Sequence, residues 1–93
     1  MENHVEIRYC TQCRWQLRAA WMAQELLSTF DGELDAVTLR PSTGGVFDVV
    51  ANDTVVWSRT DIGRFPEITE LKQVVRDEIA PDKSLGHADR KSS

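Results

Sequence analysis

The sequence predicts an α/β fold, a two-layer sandwich in which helices cover one face of a mixed four-stranded sheet. Three observations support it. Residues His4 to Tyr9 alternate between polar and apolar side chains, the period of a strand with one wet face. Arg14 to Phe30 contains no Gly or Pro and is rich in helix-forming residues. Two runs rich in β-branched residues, Val46 to Ala51 and Thr54 to Ser58, are separated only by Asn-Asp, which suits a tight hairpin turn.

The first helix is predicted to run for about four to five turns and to stop at Gly32. At about 100° per residue, one broad apolar arc forms along it, and we expect this arc to face the sheet. The arc consists of Trp15, Ala19, Met22, Ala23, Leu26, Leu27 and Phe30. Leu17 and Trp21 do not fit this pattern, because they lie one helical turn apart on the polar side.

The remaining elements follow from turn signals and periodicity. A second strand is predicted over Leu34 to Arg40, followed by a Pro-Ser-Thr-Gly-Gly loop. After the hairpin, Arg59 to Arg64 is predicted to be a polar loop, and Pro66 suits the first position of a second helix. The apolar stripe of that helix, which Pro81 ends, is Ile68, Leu71, Val75 and Ile79.

These elements give the order β-α-β-β-β-α. The strand-helix-strand start makes the first two strands parallel through a right-handed crossover, and the hairpin adds antiparallel strands. We therefore expect the sheet order second, first, third, fourth, which is a minimal thioredoxin-like plan. Residues 1–81 are expected to form this domain, and residues 82–93, which are polar and lack periodicity, a flexible tail.

Composition limits the classes of function. A chain of 93 residues is long enough for one hydrophobic core, and no apolar run approaches the roughly 20 residues of a membrane helix. The net charge of −4 and the lack of a basic stripe argue against nucleic-acid binding. The polar start of the chain lacks the pattern of a secretory signal, so we expect a cytoplasmic protein without a membrane partner.

The main functional signal is the pair Cys10 and Cys13, the only cysteines, spaced Cys-x-x-Cys between the first strand and the first helix. A helix N-terminus favours thiolate over thiol, whereas a disulfide closing so small a loop would add little stability. Redox chemistry is therefore predicted, with a structural pair or a metal site as alternatives. A zinc site would need further ligands, and the only histidines are His4 and His87, so no metal is expected.

Arginines flank the cysteine loop. Arg14 and Arg18 are either ordinary solvated residues or cations that lower the pKa of a neighbouring thiol. A cation near a helix N-terminus opposes the helix dipole, so Arg14 would be unfavourable there unless it faced an anion.

The cysteine loop, the segment Thr43-Gly-Gly-Val-Phe-Asp-Val49 and the segment Phe65-Pro-Glu67 together resemble the selenoprotein W-related, or Rdx, family over about residues 4–87. The motif of that family is often Cys-x-x-selenocysteine, and Cys13 stands at the selenocysteine position. The resemblance implies a thioredoxin-like fold and a thiol oxidoreductase or redox-adaptor role. It also implies glutathione or a protein disulfide as exchange partner, with no bound cofactor.

We expect Thr43, Gly44 and Gly45 to lie beside the cysteine loop, at the position where thioredoxins usually place a cis-proline. A glycine backbone allows a bound substrate to approach closely. The hairpin returns to the same end of the sheet, so Arg59, or alternatively Arg64, is expected to bind a substrate carboxylate such as one on glutathione.

The function predicted is thiol-disulfide exchange by the Cys10 and Cys13 dithiol. Thioredoxin analogy favours an exposed Cys10 as the attacking thiol, whereas the selenocysteine position of the family favours Cys13. The alternative is a redox-sensing adaptor without turnover, which would bind a protein partner or a second copy of the chain through Leu17 and Trp21. Those two side chains would otherwise pack beneath the tail or against a loop.

Overall fold

A computed structural model describes residues 2–86 of the chain. In chain order the elements are β1 (His4–Cys10), α1 (Gln16–Thr29), β2 (Ala36–Ser42), β3 (Phe47–Ala51), β4 (Thr54–Ser58), α2 (Arg59–Ile62) and α3 (Ile68–Ile79). The sheet order is β2-β1-β3-β4, which confirms the predicted topology. Among the described residues, each helix is too short or too polar to cross a membrane.

Strand pairing places the first cysteine at one end of the sheet. β1 runs parallel to β2, from His4 beside Ala36 to Cys10 beside Ser42. On its other side β1 pairs antiparallel with β3, which in turn pairs antiparallel with β4. The carboxyl end of β1 therefore meets the loop that enters β3, as the sequence predicted.

The core lies between the sheet and the helices. Alternation along β1 buries Val5, Ile7 and Tyr9 against the helical layer, whereas Glu6 and Arg8 point to the uncovered face. The helices contribute buried side chains from both α1 and α3. These are Ala19, Met22, Ala23, Leu26, Leu71 and Val75.

The predicted start of the first helix is wrong by two residues. Arg14 has φ of +63°, a left-handed conformation that a helix cannot include, and Trp15 caps α1 instead. The predicted apolar arc is also too wide, because Leu27 is 43% exposed. Leu27 projects roughly 90° from the centre of the arc and so lies on the flank of the helix.

The second strand begins later than predicted. Leu34 precedes β2 and is buried in the turn after α1, where its N–H donates to the carbonyl of Phe30 at 2.9 Å. Pro41 lies inside β2 rather than in a loop. An edge strand tolerates proline because one side of its backbone needs no ladder partner.

The predicted hairpin is confirmed. Asn52 and Asp53 connect β3 and β4 with φ of +47° and +73°, the left-handed pair that a type I′ turn requires. The Asn52 side chain also accepts a hydrogen bond from the His4 N–H at 2.8 Å, which ties the turn to β1.

Two expectations about the C-terminal half are corrected. Residues Arg59–Ile62 form the one-turn helix α2 rather than a loop. The last helix begins at Ile68 instead of Pro66, because Glu67 is extended and forms a capping box with Glu70.

The predicted tail is only partly described, because residues 87–93, including His87, lie outside the described residues. At its start, Lys83 pairs with Glu33 at 3.1 Å, and Leu85 packs against the core. These contacts attach the beginning of the segment to the domain.

Candidate active site

The two cysteines meet at the end of β1. Cys10 is its last residue and is 1% exposed, whereas Cys13 lies half-buried in the following turn. The Arg14 N–H closes this turn by donating to the Thr11 carbonyl at 3.0 Å. The Thr11 N–H donates to the Ser42 carbonyl at 3.0 Å, which fixes the turn to β2. Both thiols are free in this structure, and they lie close enough to interact.

The pKa of Cys10 lies below its ordinary value. The main cause is a hydrogen bond from the Cys13 thiol, and the backbone N–H groups of Gly45, Cys13 and Gln12 act in the same direction. Burial of the Cys10 sulfur opposes this effect. Cys10 is therefore the sulfur on which the first negative charge settles.

The pKa of Cys13 is raised, chiefly because its thiol donates the hydrogen bond to Cys10. Burial and repulsion from the Cys10 charge add to this effect, whereas the Gly45 N–H and the Arg59 charge oppose it. The pair therefore shares one proton and one negative charge over a range of pH, with separate steps for the first and second proton.

Backbone amides and Arg59, rather than Arg14 and Arg18, shift the pKa values of the two cysteines. Neither Arg14 nor Arg18 is among these groups, and the amides bonded to Cys10 belong to the loop and to Gly45. α1 begins only at Gln16, after the loop has ended. The cation that acts on Cys13 is Arg59, which comes from the far side of the hairpin.

The glycine pair lies where the sequence predicted. Gly44 and Gly45 have φ of +74° and +76°, a conformation that glycine adopts without strain. This turn directs the Gly45 N–H at both sulfurs. Thr43 is exposed immediately before the pair, and its contact with substrate stays a prediction.

An aromatic cluster that was not predicted borders the site. The Trp15 and Phe65 rings meet edge to face at 4.9 Å, and both contact Phe47, at 6.2 and 5.1 Å respectively. Arg59 lies over Trp15 at 4.9 Å and over Phe65 at 5.0 Å. Phe47 and Phe65 lie in two of the sequence motifs and Trp15 follows the cysteine loop, but only the fold brings the three rings together.

Arg64 is poorly suited to bind a substrate carboxylate. Its guanidinium makes two hydrogen bonds to Glu70, at 2.8 and 2.7 Å, and lies 5.2 Å from the Trp57 ring. Because this charge is already neutralised by a carboxylate, Arg59 is the better candidate.

The two apolar residues on the polar side of α1, Leu17 and Trp21, are exposed. Leu17 is 82% and Trp21 46% exposed, on the helix that directly follows the cysteine loop. Leu17 also borders a groove of about 240 Å³ that reaches the loop. The groove is lined by Tyr9, Thr11, Arg14, Gln16 and Leu17.

Metal ligands do not assemble around the pair within residues 2–86, where no group of three or more His, Cys, Asp or Glu side chains is placed to hold an ion. His4 lies at the opposite end of β1 and contacts the Thr38 hydroxyl at 2.6 Å.

The profile of the Rdx family matches residues 4–77. The chain belongs to the Rdx family. It is similar in structure to a Bordetella parapertussis protein, with 54% identity and a TM-score of 0.82 over 85% of this chain and all of that one. A selenoprotein W-related protein from Vibrio cholerae is 49% identical, with a TM-score of 0.80 over 83% of this chain and 96% of that one. No curated protein matches the chain. Membership of the Rdx family implies a thioredoxin-like fold and a thioredoxin-like redox function.

Proposed function

We propose that the chain exchanges its dithiol with the disulfide of glutathione or of a protein, with Cys13 as the attacking thiol and Cys10 as the resolving thiol. The observation that carries this order is burial, since Cys10 is 1% exposed and Cys13 reaches the surface of the loop. A substrate disulfide must approach in line with the attacking sulfur, so the accessible thiol reacts first. We place this chemistry in the cytoplasm, whose reducing conditions keep such a dithiol reduced.

The hydrogen bond between the thiols supplies the attacking group. Its proton moves from Cys13 to Cys10, so that the Cys10 thiolate acts as the base. The Cys13 thiolate then forms a bond to one sulfur of the substrate disulfide, and the substrate's own S–S bond breaks. The leaving thiolate takes up the proton from Cys10.

The second half of the reaction uses the restored Cys10 thiolate. It attacks the Cys13 sulfur, forms the Cys10–Cys13 disulfide and expels the second half of the substrate as a thiolate. Two electrons have then passed from the dithiol to the substrate. The amides of Gly45, Cys13 and Gln12 favour this step, because they stabilise the charge on Cys10.

Single-cysteine variants test the proposal. After exposure to glutathione disulfide, Cys10→Ser should accumulate one glutathione adduct on Cys13, and Cys13→Ser should react much more slowly. The wild type should release two glutathione molecules and form an internal disulfide. Intact-protein mass spectrometry measures all three products. Capture by neither variant would exclude exchange, and faster capture by Cys13→Ser would reverse the order of attack.

A redox-sensing adaptor is the second candidate, and the exposure of Leu17 and Trp21 favours it. The groove beside Leu17 includes Thr11 and Arg14 of the cysteine loop. Formation of the disulfide inside this loop would therefore alter the surface available to a protein partner.

Turnover separates the two candidates. An oxidoreductase should reduce hydroxyethyl disulfide repeatedly when a reductant is supplied, and Leu17→Ala should leave that rate unchanged. An adaptor should show no turnover, and Leu17→Ala or Trp21→Ala should weaken partner binding or self-association in one redox state only. Equal binding by the oxidised and reduced protein would exclude the adaptor.

A further inference from the structure

Arg59 differs from Arg8, Arg40 and Arg64, each of which pairs with a carboxylate. Arg8 and Arg40 pair with Glu6, and Arg64 pairs with Glu70. Within residues 2–86, Arg59 has no carboxylate partner, and its Nε is buried without a hydrogen bond. A buried unsatisfied donor on a charged group is costly and needs an explanation, and a bound anion would supply one.

The position of Arg59 is fixed by packing. Its guanidinium lies against the Trp15 and Phe65 rings, at 4.9 and 5.0 Å, and its backbone begins α2 directly after β4. Aromatic faces attract a cation without neutralising its charge. The rings therefore hold the guanidinium in place and leave its charge for another group.

This charge lies close enough to Cys13 to affect it. Arg59 opposes the rise in the pKa of Cys13, and the Gly45 N–H approaches the same sulfur. A substrate whose reacting sulfur meets Cys13 would therefore place its neighbouring groups beside Arg59.

We propose that Arg59 makes the site selective for disulfides that carry a carboxylate near the reacting sulfur. The carboxylate would supply the anion that Arg59 lacks and would align the disulfide on Cys13. This inference rests on the proposed function for its substrate, but its first test needs only an accessible Cys13. The protein as a whole repels anions, because its net charge is −4. Local attraction by Arg59 would offset this repulsion for a carboxylate substrate.

Alkylation by two reagents of similar size but different charge isolates the effect. In the Cys10→Ser protein, Cys13 is the only thiol, and its rates with anionic iodoacetate and neutral iodoacetamide are compared. Arg59→Gln should lower the ratio of these rates about fivefold, as expected for the loss of one partly exposed ion pair. Arg59→Lys should keep most of the ratio, and added salt should reduce it.

Arg18→Gln is the matched control. Arg18 makes a similar contact with Phe65, at 4.1 Å, but is not among the groups that act on Cys13. We expect this variant to keep the ratio. An equal loss with Arg18→Gln would mean that general charge governs the rates. If Arg59→Gln slows both reagents equally, Arg59 only stabilises the thiolate, and the proposal is wrong.

Exchange with disulfides extends the test to the substrate. In the protein with both cysteines, Arg59→Gln should raise KM for dithiodiglycolate, which carries carboxylates, and leave KM for hydroxyethyl disulfide nearly unchanged. Equal changes in the two KM values would overturn the selectivity. If neither disulfide reacts but iodoacetate and iodoacetamide still show the Arg59-dependent rate ratio, the proposed exchange reaction is wrong and the anion site at Arg59 is supported.

Discussion

Replacement of Gly45 by Ala should separate the conformational role of this residue from its role in stabilising the thiolate. Gly45 has φ of +76°, and an added Cβ would meet no atom within 4 Å. The cost is therefore backbone strain, about 1–2 kcal/mol for a left-handed residue. The lower entropy of alanine in the unfolded chain offsets part of this, by about 0.4–1 kcal/mol.

The net loss should be about 1 kcal/mol, which corresponds to a fall in Tm of about 4–8 °C for a domain of this size. Any relaxation of the turn moves the Gly45 N–H away from the sulfurs. Because this N–H lowers the pKa of Cys10, the variant should show a higher pKa for the first thiol and a severalfold smaller thiolate fraction at neutral pH.

Gly32→Ala provides the control. Gly32 also has positive φ, +96°, with open space around the added Cβ, but it precedes β2 at the opposite end of the sheet. Calorimetry should give similar losses of Tm for both variants, and ultraviolet thiolate titration should change only for Gly45→Ala. An unchanged titration in the Gly45 variant, despite the lower Tm, would refute the role of this amide.

Three further predictions concern stability. The folded pKa of Cys10 lies below its ordinary value, so the free energy of unfolding of the reduced protein should rise with pH between the folded pKa and about 8.5. In denaturant melts of Cys10→Ser, the free energy of unfolding should no longer rise over this pH range. If the rise persists, a group other than Cys10 causes it. Hydrogen bonds from Arg8 and Arg40 lower the pKa of the Glu6 carboxylate in the folded protein. The ionised Glu6 should therefore add up to about 1 kcal/mol to the free energy of unfolding above about pH 4.3, and this contribution should be lost as pH falls through the folded pKa. Glu6→Gln should reduce this loss of stability at acid pH in the same denaturant melts. An unchanged loss would show that the ion pairs of Glu6 with the two arginines do not contribute to the free energy of unfolding. Leu26→Ala should cost about 2–5 kcal/mol and Leu27→Ala less than about 1, because Leu26 is fully buried and Leu27 is 43% exposed. Equal losses in urea unfolding would contradict the observed orientation of α1.

Local sequence pattern accounted for the type of nearly every element but not for all the ends. Strand alternation and the Asn-Asp turn are short-range signals, and β1, β3, β4 and their hairpin followed from them. The start of α1 depended on the left-handed Arg14, which closes the cysteine turn against β2. The start of β2 depended on Leu34 entering the core. Both are tertiary effects that periodicity along the chain does not encode.

The sequence placed Cys10, Cys13 and the Gly44-Gly45 backbone together, because the order of the strands determines which loops share an edge of the sheet. It left open which thiol attacks, since thioredoxin analogy favoured an exposed Cys10 and the selenocysteine position favoured Cys13. In the structure Cys10 is the last residue of a central strand and is 1% exposed. Burial of this kind depends on what packs above the strand.

The sequence by itself determined a small α/β domain with a Cys-x-x-Cys pair at the carboxyl end of its first strand. Periodicity, turn chemistry and crossover handedness fix that much, since each acts over a few residues or over the order of elements. Only the tertiary structure decided the difference between the two sulfurs. One is buried, bonded to amides and lower in pKa, and the other is accessible and lies beside Arg59. Those properties arise from groups distant in sequence, because burial and electrostatic interactions depend on distance in space.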